Sequence, residues 1–311
     1  MRKTHGPGYR AGLICVGLLP LIFRNLRPRA DSSQIPDSGY IPRKPMKTII
    51  ALLLGIVLGM VTAPAQDWAK ARLNKSPRHL EDIKVKQGNR EVNCFVAYPE
   101  VKDKAMAVIV VHEIFGLTDW VRGVADQLAE AGYVAIAPDL LSGGGPNGGG
   151  TAELAANDGV RKAISSLPAA QVTADLDAVA DYVKALPACN GKLVVAGFCW
   201  GGGEAFRYAT HNTELKAAFV FYGMAASKQE ELANIQCPVY GFYAGNDARI
   251  SATIPQTTQL IKAAGKQYEP VTYEGAGHGF MRAGEAPDAS EANRKASAEA
   301  WTRWREILKK I

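Results

Sequence analysis

Beyond residue 66, apolar residues fall into short continuous runs, separated by longer stretches in which they recur every three or four positions. Runs rich in Val, Ile, Ala and Phe are typical of strands that are buried on both faces of a parallel sheet. The pattern therefore predicts strands at Asp82–Lys86, Glu91–Tyr98, Ala107–His112, Val134–Ala137, Leu193–Phe198, Ala217–Tyr222, Val239–Tyr243 and Pro270–Tyr273.

The stretches between these runs have the spacing of amphipathic helices. We expect Gly132 to end the first helix and Thr173 to cap the third, while Gly88 at the centre of a short turn predicts a hairpin between the first two strands. Alternating strands and helices predict an α/β fold, with a mostly parallel sheet of about eight strands and helices on both faces. We expect a single domain over residues 66–311. The predicted helices are Trp120–Ala131, Ala152–Ser166, Val172–Leu186, Gly202–Thr210, Pro255–Ala264 and Ser290–Lys310.

The net charge of +6 on the 311 residues is unevenly distributed. Residues 1–65 carry nine basic and two acidic residues, a net +7, which leaves −1 for residues 66–311. A basic surface suited to nucleic acid is therefore not expected on the folded part. We expect the partner of this protein to be a small molecule rather than a nucleic acid.

Residues 46–65 have the layout of a secretory signal peptide, with Lys47, the apolar run Thr48–Val61, and Ala63-Pro64-Ala65 before Gln66. The apolar run has 14 residues, fewer than the roughly 20 that span a bilayer. We therefore expect cleavage and export to the periplasm or the exterior, with no stable membrane span, rather than an uncleaved anchor. Because this signal is complete from Met46, residues 1–45 are interpreted as an upstream extension of the gene model or a disordered leader.

The segment at residues 193–203, LVVAGFCWGGG, has the pattern of a catalytic nucleophile. An apolar strand runs into Gly197-Phe198-Cys199-Trp200-Gly201 and a helix follows, which is the G-x-S-x-G elbow of α/β-hydrolases with Cys in place of Ser. Glycines are needed where the nucleophile sits on a tight strand-to-helix turn. A buried Cys in a Gly-rich turn is the alternative that the motif alone leaves open.

Two downstream residues favour the catalytic interpretation of Cys199. In α/β-hydrolases the triad follows the order nucleophile, acid, histidine. Asp247 follows the predicted strand Val239–Tyr243, and His278 follows Pro270–Tyr273. Both would project from the edge of the sheet that carries the elbow, where ligands bind in open α/β sheets. We therefore predict a triad of Cys199, Asp247 and His278.

The remaining motifs indicate no metal site. His112-Glu113 would begin a zinc-binding HExxH motif, but position 116 is Gly, and the sequence holds no CxxC pair. We expect Cys94, Cys189 and Cys237 to be buried and to behave as apolar residues. The sequence does not decide whether two of them form a disulfide. The Gly-rich stretch at residues 142–150 has no phosphate-loop ending, and we interpret it as a flexible surface loop near the mouth of the site. No cofactor or metal is expected.

Glu113-Ile114-Phe115-Gly116, the G-x-C-x-G-G elbow, Asp247 and His278-Gly279-Phe280 together resemble the dienelactone hydrolase (carboxymethylenebutenolidase-like) family, over about residues 85–310. The resemblance implies an α/β-hydrolase fold and a monomer. It also implies that Glu113 gates the Cys199 thiol and that the backbone N–H groups of Ile114 and Trp200 form the oxyanion hole. Two arginines would hold a substrate carboxylate, of which Arg282 matches one and Arg161 is the candidate for the other.

These residues predict a hydrolase that cleaves a lactone or ester through a thioester on Cys199. The thiol chemistry follows from the motifs, whereas the preference for lactones is implied by the resemblance. The alternative is a general carboxylesterase or thioesterase with a larger substrate. A third interpretation, an inactive secreted binding protein, is less favoured because the triad and Glu113 are present together.

Overall fold

The structure, a computed structural model, describes residues 66–156, 158–225 and 229–311. The predictions for residues 1–45 and 46–65 therefore lie outside the described residues. Eight strands form one sheet, and each of them overlaps a predicted strand. They are β1 (Leu80–Gln87), β2 (Arg90–Ala97), β3 (Ala105–Val111), β4 (Val134–Pro138), β5 (Cys189–Phe198), β6 (Ala218–Phe221), β7 (Val239–Ala244) and β8 (Tyr268–Tyr273).

The order of strands in the sheet is β1-β2-β4-β3-β5-β6-β7-β8. Strand β2 pairs antiparallel with both β1 and β4, and every pair from β4 to β8 is parallel. The predicted hairpin is confirmed, because Gln87 pairs with Arg90 across the β1–β2 turn. In the parallel part the carboxyl ends of β3 to β8 share one edge, with β5 near the middle.

The helices of the described residues cover both faces of the sheet, as predicted. One core lies under α1, α2 and α11 and is built around Trp120, Phe221 and Trp304. The other lies under α5, α6 and α9, around Leu176, Phe206 and Ile261. The helices are α1 (Asp67–Leu73), α2 (Asp119–Glu130), α3 (Thr151–Ala155), α4 (Val160–Ser165), α5 (Ala169–Ala185), α6 (Trp200–His211), α7 (Gln229–Leu232), α8 (Ala248–Ser251), α9 (Ile254–Ala263), α10 (Phe280–Glu285) and α11 (Glu291–Leu308).

Continuous burial explains why the central strands were predictable. All seven residues of β3 and all five of β4 are buried, so hydrophobic side chains are required on both faces. Gly132, with a φ of +97°, follows the end of α2 as predicted. No helix in the described part of the chain is both long and apolar enough to cross a membrane.

Two predictions about helices were wrong. The single helix predicted at Ala152–Ser166 is two helices, because Asp158 has a left-handed φ of +52° and the Gly159 N–H closes a turn on the Leu154 carbonyl. Thr173 does not cap α5, which begins at Ala169. Instead its hydroxyl donates to the Ala169 carbonyl at 3.0 Å inside the helix.

The Gly-rich stretch joins β4 to α3 and is bound to the rest of the domain by two carboxylates. Asp139 accepts hydrogen bonds from the backbone N–H and the hydroxyl of Thr151, both at 2.7 Å. Glu153 accepts from the backbone N–H groups of Asn147 and Gly149. Together, α3 and α4 pack Leu154 and neighbouring apolar residues beside Ile114 and Trp200. The stretch therefore lies close to the carboxyl edge of the sheet, while its flexibility stays a prediction.

Candidate active site

Cys199 lies on a strained turn between β5 and α6. Its backbone has a φ of +57° and a ψ of −117°, a combination that costs a residue with a side chain about 1–3 kcal/mol. The turn is tight enough that a Cβ at Gly197 would lie 1.9 Å from the Gly201 carbonyl oxygen. Glycine is therefore required at position 197 of the motif. The turn places the Cys199 thiol at the carboxyl end of β5.

His278 and Asp247 extend from the thiol in one chain of contacts. The His278 Nε2 is 3.0 Å from the Cys199 Sγ, and its Nδ1 is 2.5 Å from the Asp247 Oδ2. Because a carboxylate only accepts hydrogen bonds, Nδ1 carries the proton and Nε2 can accept the thiol proton. Asp247 is nearly buried, at 7% exposed, while His278 is at 34%. The structure thus brings together the three residues that the order of motifs selected.

Glu113 lies just after β3, which is the neighbour of β5 on the side opposite β6. Its carboxylate is buried, with the side chain 3% exposed. Arg282, from α10, donates to it from Nε at 2.7 Å. Tyr222 donates to the same carboxylate from its hydroxyl at 3.4 Å. A buried negative charge with one cationic partner therefore lies within the electrostatic reach of the thiol.

The pKa of the Cys199 thiol is raised to about 11, first by burial and second by the negative charge of Glu113. The backbone N–H groups of Trp200 and Ile114 act in the opposite direction and lower this pKa. Both N–H groups therefore favour a negative charge at this position, whether on the sulfur or on an oxyanion formed beside it. At neutral pH the resting group is a thiol.

Two residues near the thiol were not selected from the sequence. Tyr222 has a left-handed φ of +41° and a buried ring, which makes a T-shaped contact with the ring of His278 at 5.1 Å between centroids. Arg249 lies on α8 just after Asp247, and its charge lowers the pKa of Cys199. Tyr222 follows the carboxyl end of β6, and Arg249 follows that of β7. Their position after parallel strands was the feature of the sequence that could have identified them as residues near the site.

The two predicted carboxylate-binding arginines meet at Phe115. The guanidinium of Arg282 lies 5.1 Å from the centre of this ring and that of Arg161 lies 5.2 Å from it. Arg161 is exposed on α4, whereas the Arg282 side chain is only 18% exposed. The segment after β4 therefore places Arg161 against the same ring as Arg282.

The other candidates from the sequence lie away from the thiol. His79 and His211 have exposed side chains. Cys94, Cys189 and Cys237 are buried and unpaired, so the described residues contain no disulfide among them. No group of three or more potential ligands that could hold a metal occurs within the ranges that the structure describes.

Comparisons with known proteins agree on one family. The model of the dienelactone hydrolase family matches residues 92–311. A Salmonella typhi protein with the provisional name carboxymethylenebutenolidase is 35% identical over 69% of this chain and 82% of its own length. A similarly named protein of Methylorubrum extorquens is 30% identical over 75% of this chain and 83% of its own.

Solved structures show the same likeness. A crystal structure from Klebsiella pneumoniae, provisionally titled a dienelactone hydrolase, has a TM-score of 0.66 and 30% identity, and the match covers 75% of this chain and 99% of that one. The dienelactone hydrolase of Anabaena variabilis has a TM-score of 0.56 at 19% identity, over 71% of this chain and 95% of that one, and supports the fold alone.

Proposed function

The chain belongs to the dienelactone hydrolase family, and from this premise we propose that it cleaves a lactone or ester through a thioester on Cys199. Its fold is that of the α/β-hydrolases, and it is a hydrolase of ester or lactone bonds. The observation that carries the thiol mechanism is the contact of 3.0 Å between the Cys199 Sγ and the His278 Nε2, with Asp247 behind the ring.

In the proposed reaction the Cys199 sulfur attacks the carbonyl carbon and His278 accepts the thiol proton. The negative charge that develops on the carbonyl oxygen is stabilised by the N–H groups of Ile114 and Trp200. One such donor typically contributes about 2.7–4 kcal/mol. The carbon–oxygen bond then breaks, and His278 protonates the leaving oxygen. A water molecule, deprotonated by His278, hydrolyses the thioester and restores the thiol.

We propose that Glu113 keeps the thiol protonated until substrate arrives. Its carboxylate raises the pKa of Cys199, and its own charge is balanced by Arg282. A substrate carboxylate that pairs with Arg282 would compete with Glu113 for the same guanidinium. A Glu113 side chain that has lost this partner would move away from the thiol, which would remove the negative charge that raises the pKa of Cys199. The thiolate would then form preferentially when the substrate is in place.

Replacing Glu113 with Gln is expected to lower the pKa of Cys199, because the variant removes the second-largest cause of its elevation. Alkylation by iodoacetamide at pH 8 should accelerate by roughly three- to fourfold for each unit by which the pKa falls, because the thiolate fraction rises while the nucleophilicity of each thiolate falls. The rate is measured by mass spectrometry of the Cys199 peptide. Asp126→Asn is the control, because it also removes a buried carboxylate paired with an arginine, Arg78. An unchanged rate in Glu113→Gln would contradict the gating role.

A substrate with a free carboxylate is the proposed preference, because Arg161 and Arg282 converge on Phe115. We expect Arg282→Gln, made in a Glu113→Gln background so that no buried carboxylate is left unpaired, to lower kcat/KM for carboxylate-bearing esters by roughly 10- to 100-fold. Neutral esters of the same alcohol should change by much less. An equal loss on both ester types would contradict a carboxylate-binding role for Arg282.

One assay distinguishes the proposed function from its alternative, a general carboxylesterase or thioesterase with a larger substrate. The purified protein is tested on dienelactone, on p-nitrophenyl acetate and on an acyl thioester, and the acyl-enzyme is sought on Cys199 by mass spectrometry. Turnover of dienelactone supports the proposal. Turnover of the neutral esters without dienelactone would instead assign the general esterase.

We also propose that the protein is exported as a monomer after cleavage before Gln66. The signal-like layout of residues 46–65 supports the export, and the likeness to the family supports the monomer. Mass spectrometry of the native protein tests it: a mature N-terminus at Gln66 is expected. A peptide from residues 1–45 in the isolated protein would contradict it.

A further inference from the structure

His112 is a fully buried titratable group that the proposed reaction does not use. It directly follows β3 and precedes Glu113, and its side chain is 0% exposed. Burial lowers the pKa of the imidazole, although the charge of Asp139 partly opposes this effect. The ring is therefore neutral at physiological pH, with one nitrogen that donates and one that accepts.

The contacts of His112 fix which nitrogen carries the proton. Its Nε2 lies 3.3 Å from the backbone nitrogen of Leu140, which can only donate, so Nε2 is the acceptor. Its Nδ1 lies 2.8 Å from the carbonyl oxygen of Glu113, which can only accept. The neutral Nδ1–H tautomer is the one form that satisfies both bonds.

The bond to the Glu113 carbonyl has a consequence on the other side of the same peptide. In a trans peptide the C=O and the following N–H point in opposite directions. The N–H that follows this carbonyl belongs to Ile114, and it is one of the two groups that lower the pKa of Cys199. The Glu113 carbonyl accepts from the His112 ring and, at 3.1 Å, from the Gly116 N–H, and together these bonds turn the Ile114 N–H toward the side of the thiol.

The same ring also contacts the residue that supplies the second N–H group. The imidazole stacks on the indole of Trp200, with 5.4 Å between centroids and 22° between planes. Trp200 opens α6 and is half-buried, and its backbone N–H is the other group that lowers the pKa of the thiol. One side chain thus contacts the peptide group that carries one of these N–H groups and the residue that supplies the other.

We propose that His112, held in its neutral Nδ1–H tautomer between Leu140 and Glu113, is a positioning residue that orients the two oxyanion-hole donors, Ile114 and Trp200. This role rests on the proposed function, since the donors stabilise the tetrahedral oxyanion of the thioester route. The imidazole transfers no proton to substrate. It acts through the Glu113–Ile114 peptide and through the stack on Trp200.

Three substitutions separate this role from simple packing. His112→Leu removes both hydrogen bonds, and His112→Phe removes them while keeping a ring against Trp200. His112→Gln supplies an amide with one donor end and one acceptor end, like the neutral imidazole. Val179→Ala is the stability control, because Val179 is a buried residue of α5 and its truncation opens a cavity in the core beneath that helix.

Two readouts are measured for each purified variant. The first readout is hydrolysis of p-nitrophenyl acetate. We expect kcat per folded molecule to fall by roughly 10- to 100-fold in His112→Leu and His112→Phe, with KM changed by less than about twofold. His112→Gln should retain most of the wild-type kcat. For iodoacetamide, we expect slower alkylation of Cys199 at pH 8 because the Ile114 N–H stabilises the thiolate less. The slowing should persist in a Glu113→Gln background, which excludes an effect through that carboxylate.

Wild-type kcat and alkylation rates in both His112→Leu and His112→Phe would overturn the proposal. Equal losses in Val179→Ala would also overturn it, because they would assign the effect to general stability. Failure of the wild-type protein to hydrolyse any ester would refute the proposed function. The alkylation rates would still decide whether His112 orients the two N–H groups.

Discussion

Replacing Cys199 with Ala is expected to lower kcat/KM for every hydrolysed ester by roughly 10⁴- to 10⁶-fold, the range seen when the nucleophile of a triad is removed. The reason is that no other described side chain is placed to form the covalent intermediate. His278 contacts the sulfur at 3.0 Å and Asp247 contacts only the ring of His278. Without the sulfur, the remaining donors and His278 could assist only a direct attack by water.

The measurement is steady-state hydrolysis on the best ester, together with mass spectrometry for the acyl-enzyme. Cys237→Ala is the matched control, because it removes a buried thiol in the core on the other side of the sheet from α11. The control should keep near wild-type turnover at a modest cost in stability. Comparable hydrolysis by Cys199→Ala and wild type would remove Cys199 from the mechanism.

Replacing Gly201 with Ala is expected to have the largest effect on stability. A Cβ there would lie 2.3 Å from the carbonyl oxygen of His112 and 2.5 Å from that of Val111. Both are backbone atoms at the end of a central, fully buried strand, so neither can move away cheaply. We expect the free energy of unfolding to fall by about 3 kcal/mol. For a domain of this size, this corresponds to a Tm lower by roughly 10 °C.

Gly123→Ala provides the control for that experiment. Gly123 lies inside α2, and a Cβ there meets no atom within 4 Å. Alanine is a better helix former than glycine, so the free energy of unfolding of this variant should be higher than that of the wild type by up to about 1 kcal/mol. Thermal unfolding followed by circular dichroism compares the three proteins. A Tm for Gly201→Ala within 2 °C of wild type would contradict the close packing of α6 on β3, given a shift of roughly 2–4 °C for each kcal/mol.

The central strands were predictable because they are continuous apolar runs, and burial on both faces requires apolar side chains throughout. The helix predicted at Ala152–Ser166 was not, because apolar spacing carries no information on the left-handed backbone of Asp158. Thr173 shows a related ambiguity. A Thr hydroxyl can cap a helix or bond back to the carbonyl four residues earlier, and here it does the latter.

The residues of the site divide in the same way. Cys199, Asp247 and His278 were selected because a motif and the order of strand ends are both visible in one sequence. The roles of Tyr222 and His112 depend on hydrogen bonds between distant segments, such as the contact from His112 to Leu140 across 28 residues. No spacing rule reports such a contact. The positioning role of His112 and the catalytic roles of the triad are predictions that the experiments above test.

The raised pKa of the Cys199 thiol also bears on how the protein would withstand oxidants. Peroxides and disulfides react with thiolates rather than thiols, so a resting pKa of about 11 leaves little reactive sulfur at neutral pH. The other cysteines of the described residues are buried, and the pKa values of the Cys94 and Cys237 thiols are raised by burial. Oxidative damage would therefore concentrate on molecules caught during turnover, and an idle enzyme would be the more durable one outside a reducing cytosol.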